Sequence, residues 1–382
     1  MLWRTSTSRF LSPTLRRDTA AFIPSFSQRA YKLRIDASRR AMMSSIADGT
    51  RDKRRGGHLE RTADEPRDAV LHEVRLERIE QVNERVRLFR LRLLSGPVNS
   101  LPGQWLDTYI PGVPKAGGFT ITSAPSSSFP SSSSEAPYFE LAVQESPENE
   151  PAAWLWRPED DILGETLRVR VGGRFVFPPL SAPWAKEKDA SAGGGDVGNG
   201  LKKVVFVAGG VGVNPLVSML SYIADNNNSA AEEQARVVDE VVFLYVSKMP
   251  RSGRLTDILF LDRITRFFGE GSVRGRVKLF VTGAAAAAAA AAEDATSSSL
   301  QGMAGGSGST ITGGTMRQMN GTRVEVQRRR ITSADVEDAV GNGRHDPGTV
   351  VYVCGPRGMT DELVERLAGF MDSRRVLTEK WW

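Results

Sequence analysis

The sequence predicts two domains, an antiparallel β-barrel followed by a doubly wound α/β domain with a parallel sheet. The length of 382 residues is that of two ordinary domains. Between residues 70 and 171, short alternating segments are separated by turn residues, which is typical of a small antiparallel barrel. From residue 203 onward, short apolar runs alternate with helical segments, which indicates a parallel sheet covered by helices.

The barrel is predicted over residues 69–185. The alternation of apolar and polar residues across 70–94 predicts two strands with a turn near Asn83 and Glu84. A further strand opens at Gly103-Gln104-Trp105. The remaining barrel strands are predicted at 118–123, 138–144 and 166–171.

The α/β domain is predicted over residues 201–382. Its first strand, 203–208, is almost wholly apolar, as expected for a strand buried on both faces. The other strands are predicted at 241–246, 277–281, 350–354 and 374–380. Helices are predicted at 216–223, 255–268, 331–340 and 359–370.

Several segments fit neither pattern. The charged, glycine-containing residues 45–68 are predicted to be a linker. Four tracts are interpreted as surface insertions without chemistry, because their composition provides little apolar surface to bury. They are 126–134, 189–200, 226–234 and a low-complexity insertion at about 283–320.

The basic charge is concentrated at the amino-terminal end. Residues 1–44 hold nine basic and two acidic residues, a net of +7, so the other 338 residues carry −2 of the total of +5. A nearly neutral body excludes the basic face of a nucleic-acid-binding protein. The Arg-rich, acid-poor leader is typical of a mitochondrial transit peptide, which predicts a matrix location. The alternative is a disordered basic tail with no targeting function.

Other classes of site lack their residues. The one cysteine, Cys354, excludes an intrachain disulfide, and three scattered histidines do not supply a metal site. No stretch approaches the ~20 apolar residues of a membrane span.

The motif Gly209-Gly210-Val211-Gly212 lies between an apolar strand and a helix. Glycines allow a phosphate to approach the backbone closely, and a helix start offers free N–H groups. The alternative is a turn in which glycine serves packing alone.

Two further motifs are ambiguous when taken singly. Cys354-Gly355-Pro356-Arg357-Gly358-Met359 follows a parallel strand, where α/β sheets bind ligands, but a buried cysteine at a strand-to-helix turn would look the same. Gly117-Gly118-Phe119-Thr120-Ile121-Thr122-Ser123 is also compatible with an ordinary strand.

Together and in this order, the three motifs resemble the ferredoxin–NADP reductase superfamily. The final Glu379-Lys380-Trp381-Trp382 and the segment Ile331-Thr332-Ser333-Ala334-Asp335 strengthen the resemblance. It implies a barrel of the flavin-site type, a nicotinamide-nucleotide domain, FAD and NAD(P)H as cofactors, and an electron acceptor that the sequence does not identify.

The resemblance implies roles for matching residues. Thr120 would hydrogen-bond flavin N5, beside a flavin-flanking Phe119, and Cys354 would lie near the nicotinamide C4. Glu379 is a candidate proton relay, with a surface carboxylate as the alternative. Trp382 is expected to face the crevice between the domains, or else to hold the terminus. The implied cofactor contacts are Phe119, Thr120, Ile121, Thr122, Ser123, Gly209, Gly210, Val211, Gly212, Val213, Asn214, Pro215, Gly355, Pro356, Met359 and Trp382.

The sequence departs from the family where a flavin phosphate would bind. The family's arginine, two positions before the aromatic residue, is replaced by Gly117, and the second phosphate segment, near 149–153, lacks its glycine and hydroxyl. Arg170 or Arg174 could compensate. FAD binding is therefore expected to be weaker than in the family, or lost.

The resulting expectation is a flavin-dependent NAD(P)H oxidoreductase. The alternative is an NAD(P)-binding module without redox turnover. No acidic residue directly follows strand 241–246, so Lys248 or Arg251 could receive a 2′-phosphate. The alternative is that both cations are simply solvated.

Overall fold

A computed structural model describes residues 56–130, 136–180, 201–229, 236–283 and 314–380. The predicted transit segment, residues 1–44, and Trp382 lie outside the described residues. So do the glycine-rich tract 189–200 and most of the insertion predicted at about 283–320.

The first domain, called here the β domain, contains a six-stranded antiparallel sheet in the order β4-β3-β6-β1-β2-β5. An isolated antiparallel bridge joins Ile121, just after β4, to Leu141 of β5 at the other end of this order. The strands are β1 (His72–Asn83), β2 (Val86–Leu93), β3 (Trp105–Tyr109), β4 (Gly117–Thr120), β5 (Tyr138–Gln144) and β6 (Thr166–Gly172). The short helices are α1 (His58–Arg61), α2 (Pro125–Ser128), α3 (Glu150–Leu155) and α4 (Glu159–Ile162).

The β1–β2 hairpin shows why these residues form strands. Leu76 pairs with Leu91, and both are fully buried, as is Phe89. Most of their neighbours along each strand are charged, and these point to the other face, since side chains alternate with a period of two. This inward face forms one side of the β domain core.

The second domain contains a seven-stranded sheet in the order β10-β11-β9-β8-β7-β12-β13. All neighbouring strands are parallel except β10 and β11. The strands are β7 (Lys203–Gly209), β8 (Glu240–Lys248), β9 (Gly275–Thr282), β10 (Gly314–Met319), β11 (Thr322–Gln327), β12 (Thr349–Cys354) and β13 (Val376–Glu379). The helices are α5 (Val213–Ser229), α6 (Leu261–Gly269), α7 (Ser333–Val340) and α8 (Arg357–Ala368).

Helices cover both faces of this sheet. Alternate residues of β7 show the division: Phe206 belongs to the apolar cluster that includes α5 and α6, whereas Val205 and Val207 belong to the cluster that includes α7 and α8. This explains the almost continuous apolar runs of the central strands. The prediction of an antiparallel sheet followed by a largely parallel α/β domain is confirmed, whereas closure of the first sheet into a barrel stays a prediction.

The two domains share part of one core. Phe175 and Phe177 of the β domain lie in the same buried cluster as Phe206 and Tyr352 of the α/β domain. The Tyr352 hydroxyl donates to the carbonyl oxygen of Val176 at 2.9 Å. The domains are therefore packed as one body at this junction.

The structure corrects several boundaries predicted from the sequence. Residues 56–68, predicted to belong to a linker, pack on the β domain, where His58 is buried. Strand β10 lies inside the predicted insertion at about 283–320 and forms a hairpin with β11. The predicted insertions at 126–134 and 226–234 begin with ordered helix, in which Ser128 and Asn227 are buried.

Among the described residues, none of the helices combines the length and the apolar character needed to span a membrane. In the same part of the chain, histidine, cysteine and acidic side chains form no cluster that could hold a metal ion.

Candidate nucleotide site

The strand order of the α/β sheet reverses between β7 and β12. From β7 the chain proceeds to β8 and β9 on one side, and it returns later to β12 on the other side of β7. Ala208 of β7 pairs with Cys354 of β12, so the two strands end side by side. Open α/β sheets bind ligands outside the carboxyl ends of the strands at such a switch point. The glycine turn (Gly209–Gly212) and the cysteine turn (Cys354–Met359) therefore lie at the favoured position for a ligand.

The glycine turn uses its glycines for two different reasons. Gly210 has φ +54°, and no protein atom lies within 4 Å of the place where its Cβ would stand. A Cβ on Gly212 would overlap the carbonyl oxygen of Cys354 and lie 2.7 Å from the Cα of Gly355. Gly212 is thus required for packing against β12, whereas Gly210 faces open space at the switch point.

The residues that follow the glycine turn are packed inside the protein. Residues 213–215 are all buried, and the Asn214 side-chain amide donates to the carbonyl oxygen of Ala142 at 2.9 Å. Gly210 and Val211 retain exposed surface. Of the nucleotide contacts predicted in this segment, the structure offers the first part of the turn to a ligand and uses Asn214 to join the domains.

The cysteine turn packs directly on the glycine turn. A Cβ on Gly209 would lie 2.6 Å from Pro356 Cδ and 2.7 Å from Met359 Cε. A Cβ on Gly355 would lie 3.0 Å from the Cα of Gly209. The absence of side chains on both glycines therefore allows the two turns to form one continuous wall.

The three predicted catalytic residues are divided between the domains. Cys354 is 1% exposed, and it pairs in parallel register with the half-buried Glu379 of the edge strand β13. Thr120 is buried in β4, opposite Trp105. The structure brings Cys354 and Glu379 together, and the buried thiol shows that Cys354 contributes to packing at the strand end.

The segment after Thr120 joins the two domains. The Thr122 hydroxyl donates to the Glu140 carboxylate at 2.7 Å, and Arg263 of α6 donates to the two oxygens of the same carboxylate at 2.8 and 2.9 Å. The Ser218 hydroxyl of α5 donates to the carbonyl oxygen of Ser123 at 2.8 Å. Two predicted cofactor contacts, Thr122 and Ser123, thus take part in the domain junction.

Sequence reasoning missed Glu140 and Arg263. Each belongs to an ordinary pattern of polar residues on a strand or a helix, and their sequence separation gives no local signal of pairing. Burial opposes the charge of Arg263, but Glu140 outweighs this effect and raises the pKa of the guanidinium. The pair holds β5 and α6 in a fixed relation.

A buried carboxylate on the outer face of β3 was also missed. The Asp107 side chain has no exposed surface. It accepts hydrogen bonds from His58 Nε2 at 2.9 Å, Arg67 Nε at 2.9 Å and Arg170 Nη2 at 2.7 Å. Burial alone would raise the pKa of this carboxyl, but the three donors together lower it below the ordinary value of an aspartate. Two of them, His58 and Arg67, come from the segment predicted to be a linker.

The cations proposed to replace the family's phosphate-binding arginine are already engaged. Arg170 binds Asp107, and it also donates to the Tyr109 hydroxyl at 3.2 Å. Arg174 Nε donates to the Glu65 carboxylate at 3.1 Å. A bound phosphate needs cations or free donors, and recruiting either arginine would break an existing pair.

Helix α3, which lies where the second phosphate segment is implied, offers few free donors. Pro151 has no N–H, and the backbone N–H of Ala152 is capped by the Asn149 side chain at 3.3 Å. The Lys115 ammonium donates to Glu150 at 2.6 Å. The residues present therefore do not fit a flavin phosphate.

Comparison with known proteins identifies similar chains. No model of a protein family matches. The chain is 29% identical over 334 residues to oxidoreductase NAD-binding domain-containing protein 1 of Bos taurus, covering 87% of each chain. It is 27% identical over 353 residues to the protein of that name from Homo sapiens, covering 92% of each. The predicted resemblance is confirmed. It extends over most of both chains.

Solved structures share the fold at low sequence identity. The CS-b5R domains of human Ncb5or in the NAD+ form match with a TM-score of 0.50 and 14% identity, covering 81% of this chain and 70% of that one. Amycolatopsis cytochrome P450 reductase GcoB matches with a TM-score of 0.50 and 18% identity, covering 83% and 71%. This likeness shows the two-domain fold alone.

Proposed function

We propose that the chain is an NAD(P)H-dependent oxidoreductase that binds its nicotinamide nucleotide across the glycine turn and the cysteine turn. The observation that carries this proposal is the meeting of the two turns at the switch point, where a Cβ on Gly355 would stand 3.0 Å from the Cα of Gly209. The similarity to relatives named for an NAD-binding domain and for oxidoreductase activity supports it.

The glycine turn provides a place for the pyrophosphate. The open space in front of Gly210 allows close approach, and the turn leads into α5, a helix of 17 residues whose first N–H groups favour an anion. Val211 borders this space with part of its side chain exposed.

The cysteine turn provides a wall for the nicotinamide end. A bound reduced nicotinamide supplies a hydride from its C4. The buried Cys354 side chain and the adjacent Gly355 and Met359 shape the wall against which such a ring would be positioned. Glu379, next to Cys354 in the sheet, remains the candidate for holding a proton at this end.

The domain junction keeps the site in one arrangement. Arg263 and Glu140 form a charge-assisted, two-point contact across it, and Asn214 and Ser218 add hydrogen bonds from α5 to the β domain. A fixed arrangement of donor and acceptor sites lowers the entropic cost of reaching a reactive geometry.

The carboxyl end of β8 and the turn after it favour a 2′-phosphate. Among the described residues, Lys248 and Arg251 make no ion pair, whereas Arg254 is paired with Asp257 at 2.9 Å. We therefore expect NADPH to bind at least as tightly as NADH. Calorimetric titration of the full chain with each nucleotide tests the proposal: saturable binding supports it, absence of binding to both contradicts it, and strong preference for NADH contradicts the assignment of the cations.

A second candidate function is nucleotide binding without redox turnover. The residues of the β domain do not fit a flavin phosphate. Without a bound flavin, the chain lacks the electron carrier that the resemblance implies, which favours binding without turnover. The two candidates are separated by following NADPH absorbance in the presence of one-electron and two-electron artificial acceptors. Acceptor-dependent oxidation above the uncatalysed rate supports the oxidoreductase, and its absence in a chain that binds NADPH supports the binding module.

The leader is assigned a targeting role in the same proposal. The net charge of +7 over residues 1–44 and their low content of acids support import into mitochondria, with the matrix as destination. Residues 1–44 fused to a fluorescent reporter test this. A reporter that stays outside mitochondria while an import control enters them contradicts the assignment.

A further inference from the structure

Strand β4 carries the motif at which the resemblance implies a flavin, and it has two neighbouring glycines where the family has an arginine. The two glycines face opposite sides of the strand because side-chain positions alternate. What occupies the space beside each glycine therefore decides whether a ligand can reach the strand.

The side of Gly117 is filled by the Phe119 ring and by helix α3. A Cβ on Gly117 would lie 2.9 Å from Phe119 Cζ and 2.8 Å from Pro151 Cβ. Phe119 is 9% exposed and belongs to the core of the β domain, with Leu106 and Val171. The ring predicted to flank a flavin is thus packed along its own strand, between Gly117 and Pro151.

The side of Gly118 is filled by the buried segment before β1. A Cβ on Gly118 would overlap the His58 imidazole, which is 4% exposed and packs edge-on against Trp105 with ring centroids 4.8 Å apart. His58 is held there by its hydrogen bond to Asp107, the register partner of Gly118. His58, which lies more than 50 positions before Gly118 in the sequence, therefore occupies the outer face of β4.

The charges around this strand are satisfied within the chain. Asp107 binds Arg67 and Arg170, and the Arg67 guanidinium lies 5.0 Å from the centroid of the Trp105 ring. Lys115, which precedes β4, is paired with Glu150, the first residue of α3. A dianionic phosphate at this corner would have to displace carboxylates from their partners.

We infer that the β domain holds no resident flavin dinucleotide, because both faces of β4 are occupied by protein. This inference rests on the proposed function, since it states that no flavin dinucleotide held in the β domain receives the hydride. It also explains why the glycines at 117 and 118 accompany a buried His58 and Pro151.

The test compares three flavins that share one ring system: riboflavin has no phosphate, FMN has one phosphate, and FAD has a pyrophosphate and an adenosine. The full chain is purified, its flavin content is measured after denaturation, and it is then titrated with riboflavin, FMN and FAD by flavin fluorescence. We expect no co-purified flavin. The three dissociation constants should agree within about threefold if binding is detected, since one charge-assisted hydrogen bond to a phosphate gives about tenfold or more.

Two results of this test would overturn the inference. Flavin retained in stoichiometric amount, or FMN or FAD bound at least about tenfold more tightly than riboflavin, overturns the inference, because it requires a site for the phosphate or, for FAD alone, for the adenosine. The same sample is titrated with NADPH. Failure to bind NADPH removes the proposed function, whereas the comparison of the flavins separately decides whether the β domain has a phosphate site.

Discussion

The glycines of β4 and the glycines of the turn after β7 occur beside strands in motifs that imply phosphate binding, yet the molecule uses them differently. At Gly117 and Gly118 the space left by the missing side chains is taken by Phe119, Pro151 and His58. At Gly210 the space is open, and the backbone has the positive φ that glycine tolerates. A glycine next to a strand therefore shows that something lies close to the backbone, and the tertiary structure decides whether it is protein or ligand.

The two regions also differ in how their charged side chains are paired. Beside β4, the Asp107 carboxylate is fully buried and has three donors. Near the nucleotide site, Lys248 and Arg251 make no ion pair with other described residues. The first region is a closed internal network, whereas the second has two cations without an ion pair among the described residues. Substitutions at four places test this comparison.

The largest effect is expected for Gly212→Val. A Cβ at this position overlaps the carbonyl oxygen of Cys354, which is part of the central strand β12 and cannot move without disturbing the sheet. We expect a loss of stability of at least about 3 kcal/mol, at the upper end of overpacking costs, measured by chemical denaturation. The matched control is Gly358→Ala, in helix α8, where no atom lies within 4 Å of the new Cβ. A stable Gly212→Val chain would show that the packing role is wrong.

The second effect is expected for Asp107→Asn. Arg67 and Arg170 would remain largely buried without their carboxylate. This costs about 3 kcal/mol, the lower end for a broken buried pair, because Arg67 keeps the Thr62 carbonyl and Arg170 keeps the Tyr109 hydroxyl as acceptors. Because the pKa of Asp107 is lowered in the folded chain, its stabilisation is present above its unfolded pKa and is lost as the pH falls through the lower folded pKa. Denaturation measured from pH 6 to about pH 3 should show this acid-dependent loss in the wild type and a smaller one in the variant. Equal slopes would contradict the assignment.

A smaller effect on folding, but a clear one on binding, is expected for Gly210→Val. Positive φ costs a β-branched residue about 1–3 kcal/mol, but no atom blocks the side chain. The chain should fold, and its affinity for NADPH should fall at least about tenfold because the side chain enters the phosphate space. Gly210→Asn, which tolerates positive φ, separates strain from obstruction. Unchanged NADPH affinity in a folded Gly210→Val chain would refute the phosphate role.

The smallest effect is expected at the carboxyl end of β8 and the turn after it. Lys248→Gln and Arg251→Gln should each weaken NADPH about three- to tenfold and leave NADH unchanged, since an exposed cation contributes modestly to a phosphate contact. Arg254→Gln is the control, because Arg254 is already paired with Asp257. Equal losses for both nucleotides, or a larger loss in the control, would place the 2′-phosphate elsewhere.

The sequence predicted the parallel sheet well because its signal is local. The run from Val204 to Ala208 is buried on both faces, and the turns at Gly209 and Cys354 follow directly from the ends of their strands. The hairpin of β10 and β11 was missed, since most residues of β10 are exposed and carry no alternating apolar pattern.

Two features of the β domain could not be predicted from the sequence: the packing of the segment before β1 and the position of the Phe119 ring. The segment holding His58 and Arg67 has the composition of a linker, and it is ordered by one distant carboxylate, Asp107, rather than by an apolar stripe. The sequence showed that Gly117 replaces an arginine, but not that Phe119 would fill the space. Such pairings depend on long-range contacts, for which a single sequence has no periodic signal.

The most direct measurement of the difference between the two regions is hydrogen exchange of backbone amides in the full chain with and without NADPH, and with and without FAD. Ligand binding slows local opening and so protects the amides it covers. The account predicts protection by NADPH in peptides covering 209–213 and 354–359, and no protection by FAD in peptides covering 117–123 and 149–153. Protection of the latter two segments by FAD, with the two turns unchanged by NADPH, would contradict it.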